Sequence, residues 1–289
     1  MSKLRVRVFV ALGLVLGAWI LHRPLVELGV DALWFEAIGF SQVFRTQLFA
    51  RVGLWLAGLV LGSGFAFVNL AMATREANIE FGRASRVLTE GQLPSTRMRG
   101  LFRLAVAGWM GVVGLACAGL LSGGWLTLLS AIHGGEFGEV DPVFGLDLGF
   151  HIFQLPAIQL LRHAAAVLLF LTAAPLAGFY LFRDVLVGAR AVTPRAARHL
   201  AALGGLWLLV VSFGWYLDRY ELLRELRGAV WGVGYADEHV AIPALFVLAL
   251  IGVVCALGLQ VAAWRARSSL ALASGALLAL AWLGCSAAP

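Results

Sequence analysis

The sequence contains little charge and little cysteine. Charged residues make up 13% of its 289 positions, hydrophobic residues make up 61%, and the mean hydropathy is +0.89. A water-soluble domain of this length needs a more polar surface, so the composition excludes one and predicts an integral membrane protein. The three cysteines show neither CxxC nor Cys/His spacing, and Cys117 and Cys255 fall inside apolar runs, which argues against a structural disulfide.

Seven apolar runs are long enough to cross a hydrocarbon core roughly 30 Å thick. They cover residues about 6–22, 48–74, 101–123, 156–182, 200–217, 242–264 and 269–286. We therefore predict an all-α integral membrane protein. Residues 1–289 are expected to form a single transmembrane domain, a bundle of about seven transmembrane helices. The first run is followed by no small-residue cleavage site, which favours a retained helix over a signal peptide.

Basic residues are distributed unevenly among the loops. The N-terminal tail and the loops 75–103, 183–199 and 265–268 hold 3, 6, 4 and 2 Lys and Arg residues, whereas 124–155 holds none. The positive-inside rule therefore predicts a cytoplasmic N-terminus and an extracytoplasmic C-terminus. The same scatter argues against nucleic-acid binding, which needs basic residues gathered on one surface beside stacking aromatics.

Ionisable residues are missing from the central parts of all seven runs. Ion-coupled pumps normally place such a residue near the middle of the membrane, so this function is disfavoured. We expect Arg162, His163 and Asp218 at helix ends, where they reach the interface. Three polar residues lie deeper and are expected to form interhelical hydrogen bonds rather than bind a substrate. They are Asn69, Thr172 and Gln260.

Glycine and proline give two local signals inside the runs. Gly13-x-x-x-Gly17 and Gly58-x-x-x-Gly62 have the spacing that lets helix backbones approach closely. With 34 glycines in the chain, they are equally compatible with ordinary filler. Pro175 is predicted to kink the fourth run, because proline cannot donate a backbone hydrogen bond.

Two external segments carry amphipathic patterns. The loop "VDALWFEAIGFSQVF" (30–44) is expected to lie in the outer interface, with Trp34 and Phe35 among its apolar residues. The segment "DRYELLRELRGAVWGVGYADEHVAIPAL" (218–245) is predicted to begin as a short interfacial helix. That helix would carry Leu222, Leu223 and Leu226 on one side, with Glu221 and Arg224 paired on the other. A turn from Tyr235 to Pro243 would then lead into the sixth run.

The segment "DPVFGLDLGFHIFQLP" (141–156) is unusually rich in turn residues and aromatics for a position between two apolar runs. Asp141-Pro142 favours turn initiation, and Gly145 relaxes the backbone. Three phenylalanines would anchor the loop on the bundle. These are Phe144, Phe150 and Phe153. We therefore predict a capping or re-entrant segment that leads into the fourth helix at Pro156.

Acidic and histidine side chains gather on the predicted external side, namely Asp141, Asp147, His151, His133 and His239. Their spacing matches no recognised metal-ligand pattern, so no metal or cofactor is expected. No Gly-x-Ser-x-Gly or equivalent nucleophile turn occurs, so hydrolase chemistry has no support in the sequence.

Three motifs, "VDALWFEAIGF", "DPVFGLDLGFHIFQLP" and "GVGYADEHVAIPAL", occur in this order in successive external loops. Together they resemble the uncharacterised protein family 0182 (UPF0182), whose members are large bacterial membrane proteins. The resemblance implies about seven N-terminal helices followed by a large extracytoplasmic domain, and a location in the bacterial plasma membrane. The middle motif is the most specific. Its family pattern is met by Asp141, Pro142, Phe144, Gly145, Asp147, Phe150, Phe153, Leu155 and Pro156.

This sequence departs from the family pattern in two ways. His151 stands where the family usually has tyrosine, and the chain stops at Pro289, where family members continue into the large domain. The chain would then be the first part of a longer protein, a short paralogue or the product of a frameshift, and the sequence leaves these alternatives open. The resemblance carries over no catalytic, cofactor or metal residues.

Three functional hypotheses follow from the sequence. The favoured one is a non-enzymatic membrane anchor or scaffold, whose external loops support an ectodomain or a membrane or extracytoplasmic protein partner. The alternative is a transporter or channel-like component for an apolar or lipidic substrate, and the third is a membrane-surface enzyme using Asp141, Asp147 and His151. The expected partners are therefore the lipid bilayer and proteins, not nucleic acid. The candidate external-loop residues are Trp34, Phe35, Asp141, Pro142, Phe144, Gly145, Asp147, Phe150, His151, Phe153, Pro156, Tyr235, Asp237, His239 and Pro243.

Overall fold

The computed structural model describes residues 3–84, 96–186, 193–227, 230–265 and 275–279. Almost all of these residues are helical, as predicted. The helices are α1 (Lys3–Ala37), α2 (Ser41–Ala84), α3 (Thr96–Gly123), α4 (Trp125–His133), α5 (Leu155–Leu186), α6 (Pro194–Glu221) and α7 (Ile242–Arg265). Two five-residue π-helical turns, Phe150–Gln154 and Asp237–Ala241, lead directly into α5 and α7. A small antiparallel hairpin pairs β1 (Leu226–Arg227) with β2 (Val230–Trp231).

Five of the helices are long and apolar enough to cross a membrane within the described part of the chain. These candidate spans are Ser41–Thr74, Leu104–Gly123, Phe150–Tyr180, Pro194–Glu221 and Asp237–Arg265. They confirm a helical protein of the membrane type. The predicted first run, 6–22, lies within α1. Most of the predicted seventh run, 269–286, lies outside the described residues. Both of these spans stay predictions.

Residues 1–52 and 53–289 form two compact units. In the first unit, α1 continues through Pro24 to Ala37, so the prediction of an external loop over 30–44 is wrong for residues 30–37. Pro24 removes only one backbone hydrogen bond, and the leucine, glutamate and alanine residues after it favour helix. Gly39, with φ of 79°, ends the helix in a left-handed turn.

Trp34 and Phe35 therefore lie in the last turns of α1. Their rings meet edge to face at a centroid distance of 4.9 Å, and the ring of Phe35 lies 5.8 Å from that of Phe44 at the start of α2. The Trp34 side chain is 56% exposed. The aromatic pattern of this segment thus forms a local cluster across the α1–α2 connection.

Glycine brings α2 and α3 into backbone contact in the second unit. A Cβ atom at Gly58 would lie 2.6 Å from the Cys117 carbonyl oxygen, and one at Gly62 would lie 3.1 Å from the Cα of Gly114. The second Gly-x-x-x-Gly pattern is therefore a packing seam rather than filler. The surroundings of Gly13 and Gly17 lie outside the described side chains.

We expect Gly58→Ala to lower the free energy of unfolding by about 1–3 kcal/mol, because the new methyl group must push two backbones apart. Gly64→Ala in the same helix is the matched control, since nothing lies within 4 Å of a Cβ atom there. The free energy of unfolding of the control variant should be unchanged or higher by up to about 1 kcal/mol, because alanine favours helix more than glycine does. Thermal unfolding in detergent measures both variants, and equal midpoints would refute the seam.

Polar residues within the helices are paired in three different ways. Gln260 of α7 donates to the carbonyl oxygen of Ala201 in α6 at 2.6 Å, and the Asn69 side-chain oxygen lies 3.0 Å from His199 Nε2 in α6. Both confirm the predicted interhelical bonds. The prediction for Thr172 is wrong, because its hydroxyl donates to Leu168 in its own helix at 2.8 Å. Such back-bonding satisfies a buried hydroxyl without a second helix.

Pro175 leaves one carbonyl of α5 without its usual intrahelical donor. Proline lacks an N–H, so Leu171, four residues earlier, cannot receive its helical hydrogen bond. The indole N–H of Trp109 in α3 donates to that carbonyl oxygen instead, at 2.8 Å. A side chain from a neighbouring helix therefore satisfies the position where the sequence predicted a kink.

The predicted interfacial helix after residue 218 is wrong beyond Glu221. There α6 ends, residues 222–225 turn, and Leu226 begins the hairpin. Gly232, with φ of 95°, allows the chain to leave the hairpin, and its N–H donates to the Glu225 carbonyl at 3.1 Å. The predicted contact between Glu221 and Arg224 is confirmed, with an N···O distance of 3.6 Å.

Candidate functional site

The loop between α4 and α5, residues 134–149, folds back on itself as a tight hairpin. Val140 and Asp147 form an antiparallel bridge, flanked by backbone hydrogen bonds from Asp141 to Leu146 (2.8 Å) and from Leu148 to Glu139 (2.9 Å). Gly145 has a φ of 65°, which an L side chain rarely adopts. The predicted turn at Asp141-Pro142-x-x-Gly145 is therefore the tip of this hairpin.

The Asp141 carboxylate is the central acceptor of the loop. One oxygen accepts backbone N–H groups from Val143 (2.9 Å) and Phe144 (2.5 Å). The other accepts from the Leu146 N–H (2.9 Å) and faces His151 Nε2 at 3.0 Å. Asp141 is only 3% exposed. A single buried carboxylate thus binds three backbone N–H groups of one turn and the His151 side chain at the start of the next helix.

Asp147 braces the other side of the same loop. One of its oxygens accepts from the N–H groups of Phe137 (3.1 Å) and Gly149 (2.6 Å), and the other accepts from Gly138 (2.8 Å). Gly149 is required here, because a Cβ atom would lie 2.6 Å from the Gly135 carbonyl oxygen. The Asp-Pro-x-Phe-Gly-x-Asp spacing therefore places two carboxylates where each closes a separate part of the loop.

Both aspartates are held as carboxylates. Burial of Asp141 is the largest single influence and favours the neutral acid, but hydrogen bonds from Phe144, His151, Leu146 and Val143 together lower its pKa below the ordinary value. For Asp147 the hydrogen bond from Phe137 has the largest effect, and its pKa is also lowered. These hydrogen bonds stabilise the charged form of both side chains.

His151 lies in the π-helical turn and is 5% exposed. Because the Asp141 carboxylate can only accept, we assign the ring proton to Nε2. Nδ1 is then a buried acceptor with no hydrogen-bond partner among the described residues. An unpaired acceptor costs some stability, which the charge-assisted bond to Asp141 offsets.

An aromatic cluster packs the loop against the C-terminal end of α6 and the π-helical turn before α5. The ring of Phe144 lies 4.7 Å from that of Tyr220 in α6, and Phe150 lies 5.4 Å from the same ring. Phe153 stacks on Phe137 at 5.9 Å. All three phenylalanines therefore act as the predicted anchors.

The Arg219 guanidinium sits among the rings of this cluster. Its central carbon lies 4.1 Å from the Tyr216 ring centre, 5.2 Å from Phe246 and 5.9 Å from Phe144. Its Nε donates to the Tyr216 carbonyl at 3.1 Å. Each cation–π contact contributes about 0.5–2 kcal/mol, depending on its desolvation. Arg219 thereby links the loop, α6 and α7.

The helices that follow the second and third sequence motifs begin in the same way. A five-residue π-helical turn precedes Leu155-Pro156 at the start of α5 and Ile242-Pro243 at the start of α7. Proline lacks a donor and its ring crowds the preceding turn of helix, and a wider turn relieves that crowding. The helix that was predicted to start at residue 156, which is α5, therefore begins six residues earlier, at the π-helical turn starting with Phe150.

The second group of candidate residues lies in the helical turns that lead into α7 and in its first turn. The rings of Tyr235 and His239 stack at 4.0 Å, and His239 Nδ1 lies 3.0 Å from the Tyr235 carbonyl oxygen. The Asp237 carboxylate accepts the Gly234 N–H at 3.0 Å. The predicted turn from Tyr235 to Pro243 is therefore wrong, because residues 235–241 are already helical and Pro243 lies within α7. Asp237 is another aspartate whose carboxylate accepts a backbone hydrogen bond.

The model of the Uncharacterised protein family (UPF0182) matches residues 8–288. The chain belongs to UPF0182. It is 38% identical over 269 residues to a UPF0182 protein of Mycolicibacterium vanbaalenii and 36% identical over 263 residues to one of Mycolicibacterium paratuberculosis. It is 35% identical over 263 residues to one of Mycobacterium tuberculosis.

Each of these alignments covers 87% of the present chain and 26% of the relative. The UPF0182 chain thus spans about a quarter of the length of the curated relatives that it matches. No solved structure matches it.

Within the described ranges, no three His, Cys, Asp or Glu side chains converge in a way that could hold a metal ion. Asp141 and Asp147 direct their oxygens at backbone N–H groups, and His133 Nδ1 lies 2.9 Å from a carbonyl oxygen of its own helix. The UPF0182 motif thus builds a loop, and it does not bring its acidic residues together around a common point.

Sequence analysis missed a polar cluster between α5 and α6. The Arg162 guanidinium donates to the Gln159 side-chain oxygen at 2.7 Å, and the Gln159 amide donates to Asp218 at the longer distance of 3.5 Å. Gly214 makes room for it, since a Cβ atom there would lie 2.6 Å from Arg162 Nη1. The signal was present as Gln-x-x-Arg and Gly-x-x-x-Asp, which place each pair on one helix face.

Proposed function

We propose that this UPF0182 chain is a non-enzymatic membrane scaffold, and that its loop 134–149 is a docking platform for an extracytoplasmic protein domain. In this proposal the chain lies in the bacterial plasma membrane as a single domain of about seven spans, with a cytoplasmic N-terminus and an extracytoplasmic C-terminus. The distribution of Lys and Arg supports the orientation, and the mycobacterial relatives support the location.

The observation that carries the proposal is the use of both motif aspartates as internal acceptors. Six backbone N–H groups and one imidazole are directed at Asp141 and Asp147. A loop with such bracing holds one conformation before any partner arrives. Binding to it then avoids much of the entropy cost of ordering a loop.

The braced loop presents apolar side chains outward. Val140 is 65% exposed and Phe137 is 54% exposed, and Ile132, in the last turn of the adjoining α4, is 76% exposed. Glu136 and Glu139 are exposed between them. Exposed apolar groups with a charged rim are typical of protein-binding surfaces. The length of the relatives favours an extracytoplasmic domain as the occupant, because the matched region is 26% of theirs.

A photo-reactive amino acid at position 140 in native membranes tests the platform. We expect crosslinks to an extracytoplasmic protein segment, either in a longer form of this chain or in a separate protein. Asp147→Ala should reduce them about tenfold, because a loop that loses its brace samples many conformations. Asp31→Ala, which removes an exposed aspartate of α1 outside the loop, is the control and should leave them unchanged.

A photo-reactive residue at position 61 serves as a second control, because Leu61 is 64% exposed within the apolar face of α2. Its adducts should be with lipid. The scaffold proposal would be abandoned if position 140 also captured only lipid, or if Asp147→Ala left its protein crosslinks intact.

The second candidate function is transport of an apolar or lipidic substrate. It is favoured by a cavity of roughly 220 Å³ lined almost entirely by apolar side chains of α2, α3 and α5. In a transporter, a substrate path through the bundle would extend this cavity. Transport of labelled lipid by the reconstituted protein would distinguish a transporter from a scaffold.

A further inference from the structure

An apolar cavity of roughly 220 Å³ lies between the ends of α2, α3 and α5 that face the basic loops. Leu70 and Ala73 of α2 form one wall, Val106 and Trp109 of α3 form the second, and Pro175 and Phe179 of α5 form the third. All three helices contain candidate membrane spans.

Trp109 and Pro175 fix the shape of this cavity together. The Trp109 indole N–H is held by the Leu171 carbonyl that Pro175 leaves without its helical donor. The indole therefore cannot rotate to fill the space without breaking that bond. The proline ring completes the wall with an apolar surface that carries no N–H.

A buried polar relay next to the cavity holds its walls in place. Asn69 precedes Leu70 and Tyr180 follows Phe179, and both contact His199 of α6, at 3.0 and 2.9 Å. Asn69 is 5% exposed and Tyr180 is fully buried. These bonds tie α2, α5 and α6 together at the level of the cavity, so the cavity does not depend on a ligand to stay open.

The lining of the cavity has few polar groups that could bind a water molecule. Its polar side chains are Trp109, whose only donor is used, and Thr74, whose hydroxyl donates to the Ala71 carbonyl at 3.1 Å. The cavity is open along one side rather than enclosed, and a water molecule entering it would not find the two to four polar partners that an ordered water needs. The chemistry of the lining therefore selects a hydrocarbon.

We propose that this cavity binds one hydrocarbon chain, supplied by a phospholipid or a free fatty acid. The site is independent of the docking platform, because it lies among other residues and needs no protein partner. Binding also does not require transport, since the same site would equally hold a structural lipid. Ala105 lies at the exposed edge of the lining and gives access for a test.

Native mass spectrometry of the full chain, stripped of lipid in detergent and then given a defined probe, tests the site. One arm receives dioleoyl phosphatidylglycerol and the other receives oleic acid. We expect one molecule to be retained per chain, and the arm that retains it more strongly identifies the source. Ala105→Phe should weaken retention about tenfold or more, because the ring occupies the cavity.

Ala107→Phe is the matched control, because Ala107 is an equally exposed alanine of α3 outside the lining. It should retain the probe as the unaltered chain does. Failure to retain either probe, or equal retention by the two phenylalanine variants, would overturn the proposal.

A second measurement avoids any effect of substitution on folding. The unaltered chain in detergent is given a phospholipid with a diazirine in its acyl chain, and adducts are mapped after illumination. We expect saturable adducts on Val106 and Trp109, removed by excess unlabelled lipid. Adducts spread evenly over the exposed faces of α3, with no saturable component, would contradict the site whatever the outcome of the docking experiment.

Discussion

Asp141→Ala is expected to lower the stability of loop 134–149 by about 3–5 kcal/mol. The substitution removes the acceptor of three backbone N–H groups and of the His151 imidazole, and it does so where water has little access. Amide hydrogen exchange of Val143, Phe144 and Leu146 measures the effect directly. Exchange should accelerate at least roughly a hundredfold, since about 1.4 kcal/mol corresponds to a factor of ten.

Asp141→Asn tests whether the loop needs both acceptor oxygens of the carboxylate, because the amide is nearly the same size but has one acceptor oxygen and no charge. The amide keeps one acceptor oxygen but places a donor group where Leu146 and His151 now direct their own donors. It should therefore destabilise the loop nearly as much as alanine. Glu139→Gln, on the exposed side of the same loop, should leave exchange unchanged. Protection of the loop amides in Asp141→Ala at the level of the unaltered chain would show that the carboxylate is not the brace.

The same brace predicts a dependence on pH with a definite sign. The pKa of Asp141 and that of Asp147 are lowered in the folded loop, from an ordinary value of 3.8. Their contribution to stability is therefore fully present above the unfolded pKa of about 3.9. It is lost as the pH falls through the folded pKa values, which lie below that. Loop protection should be constant from neutral pH to about pH 5 and decline in acid.

The sequence predicted the turn and the aromatic anchors of this site but not its hydrogen-bond partners. Asp-Pro and Gly145 indicate a turn from their own conformational preferences, and the phenylalanines indicate anchors from their apolar surface, so these features need no knowledge of the fold. The partners of the carboxylates depend on the path of the backbone through the whole loop. The contact between His151 and Asp141 similarly depends on the π-helical turn that rotates His151 toward the loop.

Hydropathy located the helices well where they are uniformly apolar and failed at their ends. The apolar runs placed the start of the fourth predicted span at residue 156, because the aspartates and glycines before it lower the average hydropathy. The helical span begins at Phe150 instead. The first run was likewise predicted too short, because it was ended at residue 22, whereas α1 continues through Pro24 to Ala37. Apolar averages respond to composition, while helix ends respond to individual hydrogen bonds.

The earlier start of this helix changes the position of Arg162 along it. Counted from residue 156, Arg162 belongs to the second turn of its helix, and interfacial placement was expected. Counted from Phe150, it lies about three turns inside the span. Arg162 instead turns toward α6, occupies the space left by Gly214 and shares the neighbourhood of Asp218. Asp218 lies three residues before the end of α6, in agreement with the predicted position at a helix end, whereas the interfacial placement of Arg162 stays a prediction.

Arg162→Met should destabilise the bundle by about 2–4 kcal/mol, even though methionine is better suited to a membrane. The substitution leaves the Asp218 carboxylate without the opposite charge and leaves Gln159 without the guanidinium that it accepts from. Asp218→Leu should have a comparable cost, because it leaves the arginine charge uncompensated within the span. Thermal unfolding in detergent, followed for both single variants, measures these losses.

The double variant Arg162→Met/Asp218→Leu decides between charge pairing and simple packing. If the two side chains matter because their charges compensate each other, removing both should restore about 1–3 kcal/mol relative to the sum of the single losses. Gln159 can then satisfy its amide within its own helix. Strict additivity would mean that each residue is held by its own local contacts. The cluster would then be two independent polar sites on neighbouring helices, and the close approach at Gly214 would reflect packing of the arginine stem alone.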